Sequence, residues 1–97
     1  MIKAEARVRT ERASRYLVQM CKHFRHKVEA EWTDVSGRVD FAPGLCHMRV
    51  EDGKLVMQCE AANEQELGRV KYILGDHLTR FAWREEIEMT WEETRDA

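Results

Sequence analysis

The stretch "MCKHFRHK" at residues 20–27 gathers Cys21, Lys22, His23, His26 and Lys27 on one short segment. Thiolate and imidazole are the usual protein ligands of zinc, and imidazoles beside a lysine also suit an anion. If the segment is a helix, Cys21 and His23 lie roughly 160° apart around its axis. Cys21 then belongs to the apolar stripe and His23 to its far border, so the two cannot share one ion. His23 and His26, three apart, could hold a metal together, but weakly, as two ligands on a wet edge. Haem attachment is excluded, because it needs C-x-x-C-H.

A longer-range set is more consistent. Cys21, Cys46 and Cys59 all fall on inward positions of their elements, and His77 falls within the apolar arc of a second helix. A Cys₃His zinc site would require these four groups within about 4 Å of one another. The alternatives are separate buried groups and a redox-active thiol pair, for which Cys46 and Cys59 are the natural partners. Three cysteines, an odd number with no C-x-x-C, argue against a disulfide framework or a zinc ribbon.

No catalytic signature is present: no G-x-S-x-G, no H-E-x-x-H, no phosphate-binding glycine loop and no dinucleotide fingerprint. Asp76, His77, Arg80, Arg84 and Glu85 crowd together in "DHLTRFAWREE", yet Asp76 and Arg80 are four apart and pair within one helix. His77 lacks an implied second group for acid–base work. The expectation is a protein that is not an enzyme and holds no cofactor. Tyr16, Gln19, His23, His26 and Lys27 offer donors and a cation along one edge, suited to an anionic ligand or a partner.

The elements that must position these residues are legible from periodicity. "IKAEARV" alternates with period two, a strand with Ile2, Ala4, Ala6 and Val8 on its buried face. Thr10 is the expected N-cap of a helix whose stripe runs Ala13, Leu17, Met20, Cys21, Phe24 and Val28. Val28, Ala30 and Trp32 alternate as a second strand, "DVSG" turns the chain, and Val39 and Phe41 form a third strand ended by "APG". Asp52-Gly53 between two alternating runs is a hairpin signal that opposes Val50 to Leu55, Met48 to Met57 and Cys46 to Cys59. Asn63, with Glu66 three residues on, caps a second helix whose inner stripe is Leu67, Val70, Leu74, Leu78 and Phe81. Ile87, Met89 and Trp91 point inward from a last strand against Glu86, Glu88, Thr90 and Glu92. The fold class is α+β: a two-layer sandwich, β-α-β-β-β-β-α-β, with an antiparallel-rich sheet of five to six strands and two helices on one face. Gly68 and Gly75, seven apart, share a side of the second helix and mark either a ligand groove or a contact with the first helix.

Ninety-seven residues, 43% hydrophobic and 35% charged, form one domain over 1–97 with a cytoplasmic default location and no membrane span. Net charge is −2 but uneven: Arg7, Arg9, Arg12, Arg15, Lys22, Arg25 and Lys27 early, and Glu85, Glu86, Glu88, Glu92, Glu93 and Asp96 late. The simplest reading is that the two ends neighbour and neutralise each other, and the acidic balance argues against nucleic acid.

"ASRYLVQMCKHFRHK", "GRVDF…GLCHM" and "DHLTRFAWREE", in that order, resemble the small bacterial proteins of domain-of-unknown-function family 2218. Its first helix carries a similar C-K-H-x-x-H-K segment, matched here by Cys21, Lys22, His23, His26 and Lys27. A later D-H-x-x-R-F segment is matched by Asp76, His77, Arg80 and Phe81, which adds His77 and Arg80 to the binding candidates. The resemblance implies a compact α+β domain, alone or associated with siderophore-interacting, flavin-binding ferric reductases, near iron acquisition. It assigns no reaction.

Overall fold

The computed structural model describes residues 1–95. The chain runs β1 (Ile2–Arg9), α1 (Ala13–Phe24), β2 (Glu29–Trp32), β3 (Ser36–Asp40), β4 (Gly44–Glu51), β5 (Lys54–Ala61), α2 (Glu64–Phe81) and β6 (Trp91–Arg95). The strands make one antiparallel sheet ordered β2-β3-β4-β5-β1-β6. Both helices contribute to a single buried cluster on one face of this sheet, the expected α+β sandwich. On the other face Val56 is buried apart from that core. Its register neighbours are Arg7 and Arg49, whose guanidinium groups are held by Glu5 and Glu51, so their stems cover it.

The hairpin register is as the pattern dictates, with Val50 opposite Leu55, Met48 opposite Met57 and Cys46 opposite Cys59. Gly53 takes φ +67° while Asp52 stays out of the left-handed region, so the turn is not the doubly left-handed form that Asp-Gly favours most. The Gly53 carbonyl accepts a 2.9 Å hydrogen bond from the Thr10 backbone N–H, tying the end of β1 to the turn.

Several local expectations change. Thr10 does not cap α1; the helix starts one turn boundary later, after Arg12, with no side-chain cap. The Thr10 hydroxyl instead accepts from the Arg12 N–H at 3.1 Å and donates to the Glu85 carboxylate at 3.0 Å, because a buried hydroxyl needs both roles filled. Helix α1 ends at Phe24 rather than running on to Val28, and Phe41 sits just past β3, still buried. Asn63 caps α2 as expected, its side-chain oxygen accepting from the Glu66 N–H at 2.9 Å. The last strand begins at Trp91, not Glu86. Ile87 and Met89 do pack on the core, but opposite Arg7 and Arg9 the chain splays from β1 and leaves a recess lined also by Glu86 and Glu88.

Two glycines that carry no sequence signal let the helices seat. A Cβ on Gly37 would lie 2.9 Å from the Cys21 sulfur of α1, and one on Gly44 would lie 2.7 Å from Val70 of α2 and 2.8 Å from the Glu60 carbonyl oxygen. Gly68 and Gly75 do not make the expected contact with the first helix. Nothing lies within 4 Å of the Gly68 position, and Gly75 faces Met89 at 3.7 Å rather than α1.

These surroundings predict opposite effects of one methyl group. Gly44→Ala, pressed against a carbonyl that cannot move aside, loses about 2 kcal/mol in urea denaturation. Gly68→Ala, in open space on a helix, gains about 0.5–1 kcal/mol in the same measurement.

Candidate functional site

The seven binding candidates lie along the seam where α1 passes α2 in the opposite direction, and the structure divides them into two groups. At one end His23 and His77 touch in a tilted contact, ring centroids 4.7 Å apart and planes inclined by 47°, and both imidazoles lie against Phe24, at 5.7 and 4.9 Å. Phe81 closes the far side, 6.0 Å from His23. The His77 Nδ1 is 2.7 Å from the Ile73 carbonyl oxygen, one turn back on α2. Nδ1 therefore carries the proton and donates, leaving Nε2 as the free lone pair.

This corrects the placement of His77. It does not join the three thiols in the core but is half-buried at the seam, drawn there by the backbone acceptor and the Phe24 edge. His23 is on the exposed border as expected, yet it has a partner the single-helix view could not show. The charged groups that act most on His23 are basic. His23 is pushed below the ordinary imidazole range, first by burial against its ring neighbours and then by His77, His26, Lys27 and Arg80. Asp76 is occupied by Arg80, 3.3 Å away.

At the other end Tyr16 and Gln19 face Arg12, Arg15 and Arg84. Tyr16 is buried, a residue the apolar stripe omitted because its ring counts as polar at the edge. Its hydroxyl donates to the Glu85 carboxylate, which also accepts from Thr10 and pairs with Arg12 at 3.4 Å. The Tyr16 bond, then Thr10 and Arg12, hold Glu85 below the usual carboxylate range. Burial first, then Glu85, raises the Tyr16 phenol, so it remains the donor.

The thiols form a separate story. Cys21, Cys46 and Cys59 are free and buried. Cys46 is pushed well above the ordinary thiol range, first by its hydrogen bond with Cys59 and then by burial, and burial lifts Cys21 to about 11. A thiol so shifted is a poor nucleophile and a poor metal ligand at neutral pH. Among the described residues no group of three or more His, Cys, Asp or Glu side chains is placed to hold a metal ion. The Cys₃His arrangement therefore does not assemble: the thiols lie under the helices and the imidazole at their margin.

The charged ends meet only in part. Arg12 reaches Glu85, Arg7 feels Glu92, and Arg7 and Arg9 border the recess with Glu86 and Glu88. Asp96 lies outside the described residues. Arg15 and Lys22 on α1 and Lys27 in the turn after it make no salt bridge among the described residues, and Arg25 rests on the Trp32 ring at 5.7 Å. The acid run borders β1 without a salt bridge to it among the described residues, Arg7 pairing with Glu5 of its own strand, and the helical seam stays positive.

Two measurements check these assignments. A chromogenic disulfide reagent at pH 8 leaves all three thiols unreacted over hours in the native protein and titrates three per chain in denaturant. Tyr16→Phe loses about 1–2 kcal/mol at pH 7, where Glu85 is ionised in both folded and unfolded chains. Because the folded Glu85 pKa is the lower one, the stability it contributes is present above the unfolded carboxylate range. The Tyr16→Phe deficit, followed by melting, shrinks as pH falls through the folded value.

Known proteins place this arrangement in context. The search of curated proteins gives no match. Among solved structures, the NMR structure of PA4090 from Pseudomonas aeruginosa is 34% identical, covers 95% of this chain and 96% of its own, and superimposes with a TM-score of 0.80. The family model described as an uncharacterized protein conserved in bacteria matches residues 5–92, carrying both the C-K-H-x-x-H-K and D-H-x-x-R-F segments that meet at the seam. The chain belongs to this bacterial family, DUF2218.

Proposed function

We propose that the domain is a non-enzymatic accessory module of the bacterial cytoplasm that binds an anionic ligand over the imidazole end of the α1–α2 seam. The observation that carries this reading is the His23–His77 ring contact, with Lys27 and His26 beside it and the neighbouring Asp76 paired with Arg80. A cation is repelled by that surround. An anion is attracted, and the imidazole and aromatic surfaces offer flat contact to a ligand with rings.

The ligand class we favour is a negatively charged ferric–siderophore complex, handed to or from a siderophore-interacting flavoprotein; the family resemblance supports this association. No helix among the described residues is long and apolar enough to cross a membrane, which is consistent with the location proposed. A metal- or redox-responsive role for Cys21, Cys46, Cys59 and His77 has less support, because all three thiols are buried, Cys21 and Cys46 with raised pKa values, and the imidazole is elsewhere.

Titration with an anionic ferric catecholate complex tests the reading. We expect quenching of tryptophan fluorescence, a higher melting temperature, and affinity that falls roughly tenfold or more in a Lys27→Glu/Arg80→Glu variant. Bound anion favours protonated His23, whose free pKa is depressed, so binding tightens as pH is lowered from 7.5 toward 5.5. Unchanged fluorescence and melting across the titration would remove the ligand from this site.

A further inference from the structure

The other end of the seam holds a recess. We propose that the recess between the start of α1 and the segment following α2 binds a sugar phosphate monoester that also bears a flat ring, as a mononucleotide does. None of the histidines lines this recess, so the inference does not depend on the imidazole end.

Charge comes first. Three guanidinium groups border the recess, those of Arg12, Arg15 and Arg84. Arg12 is offset by Glu85, 3.4 Å away, whereas Arg15 and Arg84 have no carboxylate within salt-bridge distance among the described residues. Glu85 cannot swing across to them, because Tyr16 and Thr10 donate to it and hold it in place. Two uncompensated guanidinium charges remain, and a phosphate monoester carries about −1.5 to −2 at neutral pH. Guanidinium groups bind such an anion through paired N–H donors, and the Gln19 amide adds a neutral donor at the rim.

Size and shape supply the ring. The cavity measures about 220 Å³, room for a phosphoryl group and part of a sugar but not for a whole nucleotide. Whatever is esterified to the phosphate must emerge beside Phe81 and Trp83. Trp83 is 72% exposed, an unusual state for an indole, and the Arg84 guanidinium lies 4.7 Å from its ring centre. That contact steadies the indole and occupies one of its faces. The other is available to a flat ring, and base–aromatic stacking tolerates any base because each has a π-face. Arg84 thus serves both halves of the ligand.

The test uses the full chain and four probes, AMP, ribose 5-phosphate, adenosine and inorganic phosphate, followed by NMR at low-millimolar concentrations. AMP is expected to shift both the Trp83 indole N–H and the Arg15 and Arg84 side-chain signals. Ribose 5-phosphate should shift the arginine signals alone, and adenosine should shift neither appreciably. Arg15→Glu and Arg84→Glu each weaken AMP binding roughly tenfold or more. Both side chains are exposed, so melting is unchanged, and Arg15→Gln and Arg84→Gln provide milder versions. Trp83→Ala weakens AMP but not ribose 5-phosphate. AMP that moves none of these signals overturns the proposal, as does AMP binding that survives both charge reversals. Inorganic phosphate binding as tightly as AMP would reduce the recess to a general anion site and also overturn it.

Discussion

The rest of the structure depends on the register of the β4–β5 hairpin. Side chains alternate along a strand with period two, so a slip of one residue would send Cys46, Met48, Leu55, Met57 and Cys59 from the helical face to water. The turn at Asp52-Gly53 holds that register and also receives the Thr10 N–H from the end of β1. From Thr10 the constraint passes to the start of α1 through Arg12 and to the segment after α2 through Glu85. One turn, one hydroxyl and one carboxylate therefore set where the two helices begin and end their shared seam.

Close seating of the helices is the second constraint. Gly37 and Gly44 leave room for Cys21 and Val70, bringing α1 and α2 down onto the sheet. With the helices this low, the larger polar side chains on their facing flanks have no space to interleave in the core and emerge together at the seam. His23 meets His77 there, and Arg15 meets Arg84 across a recess. The same geometry buries all three thiols and raises the pKa values of Cys21 and Cys46, which makes them packing groups in the resting protein.

The distribution of charge follows from strand order rather than from composition. Because β6 pairs with β1, the acidic end of the chain lies beside the basic first strand, where Glu92 and Glu86 meet Arg7 and Arg9. Helix α1 is on the opposite layer, and among the described residues the one acid of this run that pairs there is Glu85, with Arg12 at the helix start. A chain with net charge −2 thus presents a cationic seam. Such segregation is what an anion-binding surface requires, since screening at physiological salt limits attraction to within about 8 Å.

Periodicity, turn chemistry and capping are local, and residues a few positions apart decide them. For that reason the element order, the hairpin register, the Asn63 cap and the inward direction of the thiols were all readable along the chain. The end of α1, the start of β6, the double role of Thr10 and the room at Gly37 and Gly44 were not, because each is settled by a neighbour distant in sequence. His77 illustrates the boundary. Its position on the helix followed from spacing, but whether it turned to the thiols or to His23 depended on the Ile73 carbonyl and the Phe24 ring that α1 brought alongside. Sequence determined which groups each element carries on each face; only packing of one element against another decided which of those groups meet, because contact between faces is a property of the pair.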